Sequence, residues 1–197
     1  MAIDKLKIKQ KLQTLKSSFT IQAGHPTALY LKQQHFEKAA DIFPKLFGEN
    51  DEAAFLFWCK IPIRFAYTYE WYANFNDLLI WFERMLVREK GDYEFVLTTD
   101  VFLTNIKARW EEGMLTIESD WTAKRSLQKM ADLLNQKGTI RLNLQDFLKE
   151  WKILWMQIEK AIRKADIVLT DEKEQKKIQT MQLIISHIQG QGKMYTT

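Results

Sequence analysis

Six large apolar residues, Phe147, Trp151, Leu154, Trp155, Ile158 and Ile162, recur at spacings of four, three, one, three and four. That rhythm keeps one apolar face in register for roughly four turns of an α-helix. A face carrying two tryptophans is too wide to leave in water, so another layer must cover it. Asn143 stands where an N-cap belongs, and the pattern predicts a long helix beginning just after it.

The stretch upstream is written at strand period. Tyr93, Phe95 and Leu97 alternate after Gly91, then Thr104, Ile106, Ala108 and Trp110, then Leu115, Ile117, Ser119 and Trp121. Alternation places each set on one face of a strand. Glu111-Glu112-Gly113 reads as a three-residue hairpin loop with Gly113 in the left-handed position. A helix is expected over Lys124–Gln136, stopping at Lys137-Gly138, and a short strand over Thr139–Leu142. The natural assembly is an antiparallel meander.

The N-terminal half is more mixed. Ile8, Leu12, Leu15 and Phe19, with lysines between them, predict an amphipathic helix over residues 3–16. Phe19–Ala23 reads as a short strand closed by Gly24-His25-Pro26. A helix is expected from Ala28 to Phe43, ended by Pro44 and the Gly48-Glu49-Asn50-Asp51 turn. Phe55–Cys59 reads as a strand buried on both faces, and Ile61, Ile63, Phe65, Tyr67, Tyr69 and Trp71 alternate as a further strand. At Asn74 the period changes to that of a helix through Phe75, Leu78, Leu79, Phe82, Met85 and Leu86, with Asn74 as N-cap and Asp77 favouring the positive end. A more polar helix is expected over Asp171–His187, before a tail opening with Gly190-Gln191-Gly192. The fold class is therefore α+β: an antiparallel sheet with helices packed largely on one side and a helical C-terminal segment.

With 197 residues, 46% hydrophobic, seven Trp and twelve Phe, the chain has material for one large core. It reads as a single domain, 1–197, with a basic helix at 1–18, an α+β core at 19–165, and a C-terminal helix and tail at 166–197. Cys59 is the one cysteine, which excludes an internal disulfide and points to a reducing compartment. The N-terminus has no uninterrupted apolar segment of signal-peptide type, and no stretch approaches the length of a membrane span. A cytoplasmic location is expected. The formal charge of +4 arises in residues 1–18, where five lysines face Asp4 alone; the remaining 24 basic and 24 acidic residues cancel. A nucleic-acid binder carries its basic stripe across the fold itself, so nucleic acid is disfavoured as a partner.

Catalytic patterns are missing. His25, His35 and His187 share no ligand spacing, the glycines form no phosphate-cradling loop, and Cys59 sits in an apolar run where a thiol is inert packing. Adjacent Glu111 and Glu112 point to opposite faces at a wet tip, unlike a general acid. Glu150-Trp151-Lys152 has the spacing of a nuclease E-x-K, but helical periodicity covers it. No metal, no cofactor and no enzymatic activity are expected, so function falls to binding. Tyr67-Thr68-Tyr69-Glu70-Trp71-Tyr72 has two readings: its aromatics pack beneath the following helix, or Tyr72 with Glu70, Asn74 and Asn76 rims a partner site. Glu111 and Glu112 add acidic contacts, and the exposed face of the C-terminal helix is the next candidate.

The run Ile61-Pro62-Ile63-Arg64-Phe65-Ala66-Tyr67-Thr68-Tyr69-Glu70, followed by Asn76-Asp77-Leu78-Leu79, resembles a pattern in small proteins encoded beside bacterial toxin genes. Leu115-Thr116-Ile117-Glu118-Ser119 and Asp146-Phe147-Leu148-Lys149-Glu150-Trp151 fit the same layout. Over residues 53–165 the chain resembles immunity proteins of polymorphic toxin systems, including contact-dependent inhibition and type VI secretion. The resemblance implies a cytoplasmic inhibitor that binds a cognate protein toxin and blocks its active site or an essential surface. Many immunity proteins against nucleases are acidic; the neutral body here departs from that and leaves the toxin's chemistry open. The alternatives are a hydrolase or nuclease built from unrecognised carboxylates, and a regulatory or nucleic-acid adaptor using the basic N-terminal helix.

Overall fold

A computed structural model describes residues 18–48 and 52–190. The helix expected over residues 3–16 and the tail beyond Gly190 lie outside the described residues. The chain is α+β, with antiparallel sheets and a helical C-terminal segment.

The meander forms as its alternation demands. Strands β5 (Gly91–Thr98), β6 (Phe102–Glu111), β7 (Met114–Ala123) and β8 (Ile140–Asn143) pair antiparallel in that order. Register stacks Leu97, Thr104 and Trp121 in one inward row, and Tyr93, Ala108, Ile117 and Ile140 in another. The outward rows are mainly polar, with Val96 and Leu103 exposed among them; in one, Lys107 lies opposite Glu94 and Glu118 and its ammonium is 3.5 Å from Glu94. Gly91 faces Trp110 so closely that a Cβ there would sit 2.6 Å from the indole Cζ2. Only glycine lets the ring lie across the sheet edge, with its Nε1 donating to Arg88 O at 3.0 Å. The β6–β7 hairpin differs from the expected three-residue loop: Glu111 pairs with Met114, leaving Glu112 (φ 51°) and Gly113 (φ 72°) as a two-residue turn. Positive φ at both positions matches the twist of the flanking strands.

A second antiparallel sheet has the order β1 (Phe19–Gln22), β3 (Ala54–Trp58), β4 (Ile61–Phe65). It shares one core with the meander, since Trp58 meets Trp121 edge to face at 5.3 Å. The long helix, α4 (Leu144–Ala165), starts as its cap predicts: Asn143 Oδ1 accepts from the N–H groups of Gln145 and Asp146. All six residues of its stripe are buried. Trp151 touches Phe65 from β4 and Phe82 from the helix α2 (Tyr69–Val87), while Trp155 meets Trp71 at 4.9 Å. The indole N–H groups of Trp58, Trp71, Trp81, Trp151 and Trp155 find no acceptor among the described residues, and their neighbours are largely aromatic rings. The short α3 (Gln128–Lys137) lies against β7, and α5 (Glu172–Gly190) packs on α2 and α4 through Met181, Ile184, Ile185 and Ile188.

Four expectations need correction. First, the helix expected over Ala28–Phe43 is absent as far as Lys38, and only its end is helical, as a 3-10 turn at Ala39–Ile42 that leads into an α-helix at Phe43. Leu31 and Gln33 donate their N–H groups to Ala165 O and Asp166 O, Lys32 and Gln33 take left-handed φ, and β2 (His35–Phe36) pairs parallel with β9 (Val168–Leu169). These distant carbonyls draw the backbone away from i−4 bonding. Pro44, expected to end that helix, instead sits in the first turn of α1 (Phe43–Leu46), where its missing N–H is not needed. Second, the strand expected to run to Trp71 stops at Phe65, and α2 begins at Tyr69. Trp71 then opens the helical stripe Trp71, Phe75, Leu78, Phe82, all buried, so Asn74 is inside the helix rather than its cap. Third, β3 buries one face: Ala54, Leu56 and Trp58 point inward while Phe55 is exposed. Fourth, Cys59 is half-buried in the β3–β4 turn with φ 48°, not within the strand; burial raises its thiol pKa.

Candidate protein-binding surface

The six residues predicted to meet a partner separate into three groups. Glu70 and Asn74, both 0% exposed, face inward and cannot rim a site. Glu70 Oε2 accepts from Ala66 N at 3.0 Å and Oε1 from Asp100 N at 3.2 Å, tying the start of α2 to the β5–β6 turn. Burial raises the Glu70 pKa; the backbone donors of Asp100, Glu70 itself and Ala66 pull the other way, and the nearby Asp100 charge adds to the rise. Asn74 uses both ends of its amide: Nδ2 donates to Thr98 O at 2.7 Å and to Glu70 O at 2.6 Å, and Oδ1 accepts from Thr98 N at 2.8 Å. It therefore stands in for a neighbouring strand along the free edge of β5. Asn135 treats β7 the same way, accepting from Trp121 N and donating to Trp121 O where β8 does not reach.

Tyr72 and Asn76 remain outside. Tyr72 is 46% exposed and lies on the outer face of α2 with Tyr69, Asn76, Ile80 and Val87. Spacings of three, four, four and seven from Tyr69 put these residues in one stripe. Glu111 and Glu112 are exposed at the hairpin tip. That tip is beyond the opposite end of β5: Asn74 binds Thr98, whereas Gly91 lies against Trp110 beside Glu111. Seven residues of strand separate the two ends, about 23 Å at about 3.3 Å per residue. The structure thus brings Tyr72 and Asn76 together and leaves the glutamates apart from them.

A larger feature lies between α4 and α5. A groove of about 930 Å³ has Ile153, Met156 and Ile185 as its apolar lining, with Lys149, Lys152, Lys160 and Arg163 along α4. Ile153 is 46% and Met156 40% exposed, so apolar side chains are open to water on the face of α4 opposite its buried stripe. From Lys149 to Arg163 the helix runs about 21 Å at about 1.5 Å per residue. Lys149 approaches Asp146 at 3.9 Å and Arg163 pairs with Glu159, whereas Lys152 and Lys160 enter no ion pair among the described residues. The groove was not read from the sequence, although two apolar residues off the main stripe, Ile153 and Met156, were its signal. Glu150 points elsewhere, accepting from Ile21 N at 2.7 Å, so the Glu150–Lys152 spacing builds no shared site.

Among the described residues, no three His, Cys, Asp or Glu side chains gather where a metal ion could be held, and no helix is long and apolar enough to cross a membrane. Compared with known proteins, the chain matches no family model, no curated protein sequence and no solved structure.

Proposed function

We propose that this protein is a toxin-neutralising binding protein, an immunity protein that acts in the cytoplasm by covering the active site or an essential surface of a cognate protein toxin. The observation that carries the reading is the α4–α5 groove: an open, apolar-floored channel on a rigid helical frame fits a protein segment. The exposed Tyr69–Tyr72 end of α2 offers aromatic contact area of the kind that dominates protein interfaces. The sequence pattern over residues 53–165 supports the same reading through its resemblance to immunity proteins.

The test pairs this protein with the product of the reading frame beside its gene. Co-expression should restore growth of cells poisoned by that product, and the two should purify as a stable complex burying on the order of 1,600 Å². Met156→Asp, placed on the open groove lining, should abolish both effects while the protein stays folded. Absence of rescue and of a complex with the wild-type protein would refute the proposal.

A further inference from the structure

We propose that the α4–α5 groove receives an acidic amphipathic helix from the partner protein. This deepens the protein-binding reading above and rests on it. The lining carries four cations, Lys149, Lys152, Lys160 and Arg163, against the single carboxylate of Glu159. Two of them, Lys152 and Lys160, have no carboxylate partner among the described residues. They flank Ile153 and Met156 on α4. An occupant must therefore bring apolar side chains for the floor and negative charge for the rim. A helix of three to four turns does both, with apolar residues at i, i+3, i+4 and i+7 and acids on its flanks, and its length matches the channel of about 21 Å.

The charge of the rim also decides between occupants. The chain's own residues 1–17 have apolar residues at helical spacing, but they would bring five lysines and one aspartate to a cationic rim. A second copy of the chain would present the same cations to themselves. Nucleic acid would satisfy the lysines and leave Ile153, Met156 and Ile185 against a polar backbone. Of these occupants, the acidic helix satisfies floor and rim together.

The test uses the full-length protein and fluorescence anisotropy. One probe is a labelled 16-residue peptide with leucines at the helical spacing and glutamates elsewhere. The others are a peptide of this chain's residues 1–17, a single-stranded oligonucleotide and an anionic phosphatidylglycerol vesicle. The acidic peptide should bind with a Kd of about 100 μM or tighter. Lys152→Glu with Lys160→Glu should weaken it by about tenfold or more, and Lys152→Gln with Lys160→Gln by less. A lysine version of the probe should bind the charge-reversed protein better than the wild type. Circular dichroism of each variant checks that the fold is kept, and Met156→Asp, which leaves the lysines alone, is the second route to loss of binding.

The proposal is overturned by an acidic peptide that does not bind, or that binds all variants equally. It is also overturned by tighter binding of residues 1–17, of the oligonucleotide or of the vesicle at the same lysines, or by a wild-type dimer that Met156→Asp dissociates. The two readings fail separately. A toxin complex that survives reversal of Lys152 and Lys160 sinks the acidic helix and leaves the toxin-binding function standing; acidic-peptide binding without any toxin complex does the opposite.

Discussion

Replacing Asn74 with alanine isolates the device that closes the free edge of β5. The side chain is fully buried and joins the Thr98 peptide on both sides, at 2.7 and 2.8 Å. Truncation leaves the Thr98 N–H and C=O without their partner beneath α2. Each buried orphan costs about 1–3 kcal/mol, and because Thr98 is half-buried, water recovers part of that, which places each near the lower end. The gain in helix propensity from Asn to Ala returns about 0.5 kcal/mol. The net loss is then about 1.5–2 kcal/mol, a sizeable share of a stability that is commonly about 5–15 kcal/mol. Urea denaturation should show the midpoint falling at constant m-value. Hydrogen exchange should show the Thr98 amide losing protection ahead of its neighbours in β6. Asn74→Asp should be worse than alanine, since it turns a carboxylate oxygen toward Thr98 O and adds charge beside the buried Glu70. A loss under about 0.5 kcal/mol in the alanine variant, with unchanged Thr98 protection, would refute the inward placement of Asn74 and return it to the surface.

Trp151→Ala should destabilise by about 3–5 kcal/mol, because its buried ring contacts Phe19, Phe65 and Phe82; calorimetry checks this as a fall in Tm. Gly91→Ala should cost about 1–3 kcal/mol by pressing a methyl onto Trp110, with a shift in tryptophan fluorescence as the companion signal. Tyr72→Ala should change folding by less than about 0.5 kcal/mol, yet weaken binding of the cognate toxin by about 2 kcal/mol in titration calorimetry if the α2 stripe joins the interface. Glu70 sets a pH dependence: its native pKa lies above the unfolded value, so its contribution is fully present below the unfolded pKa and is lost as pH rises through the raised native one. Stability of the wild type relative to Glu70→Gln, followed by urea melts, should therefore decline with rising pH across that window.

Where one element answers to its own neighbours in sequence, the sequence by itself determined the outcome. The α4 stripe and its Asn143 cap, the alternation of β5 to β7, and the stop at Gly138, whose φ is 59°, are all local statements of period and backbone freedom. Tertiary structure decided what local period leaves undetermined. Tyr67, Tyr69 and Trp71 fit a strand by alternation, yet Trp71 also begins the stripe that buries α2 against Trp155, and packing favoured the helix. Glu70 and Asn74 read as surface groups because their acceptors and donors, at Asp100 and Thr98, come from a turn and a strand end far along the chain. The first part of the expected Ala28–Phe43 helix, as far as Lys38, gave up helical bonding, with Leu31 and Gln33 turning to carbonyls at Ala165 and Asp166, more than a hundred residues away. The groove exists only because α5 docks beside α4: periodicity tells which face of a helix is apolar, whereas the element that covers it, and how much it leaves open, depends on long-range packing.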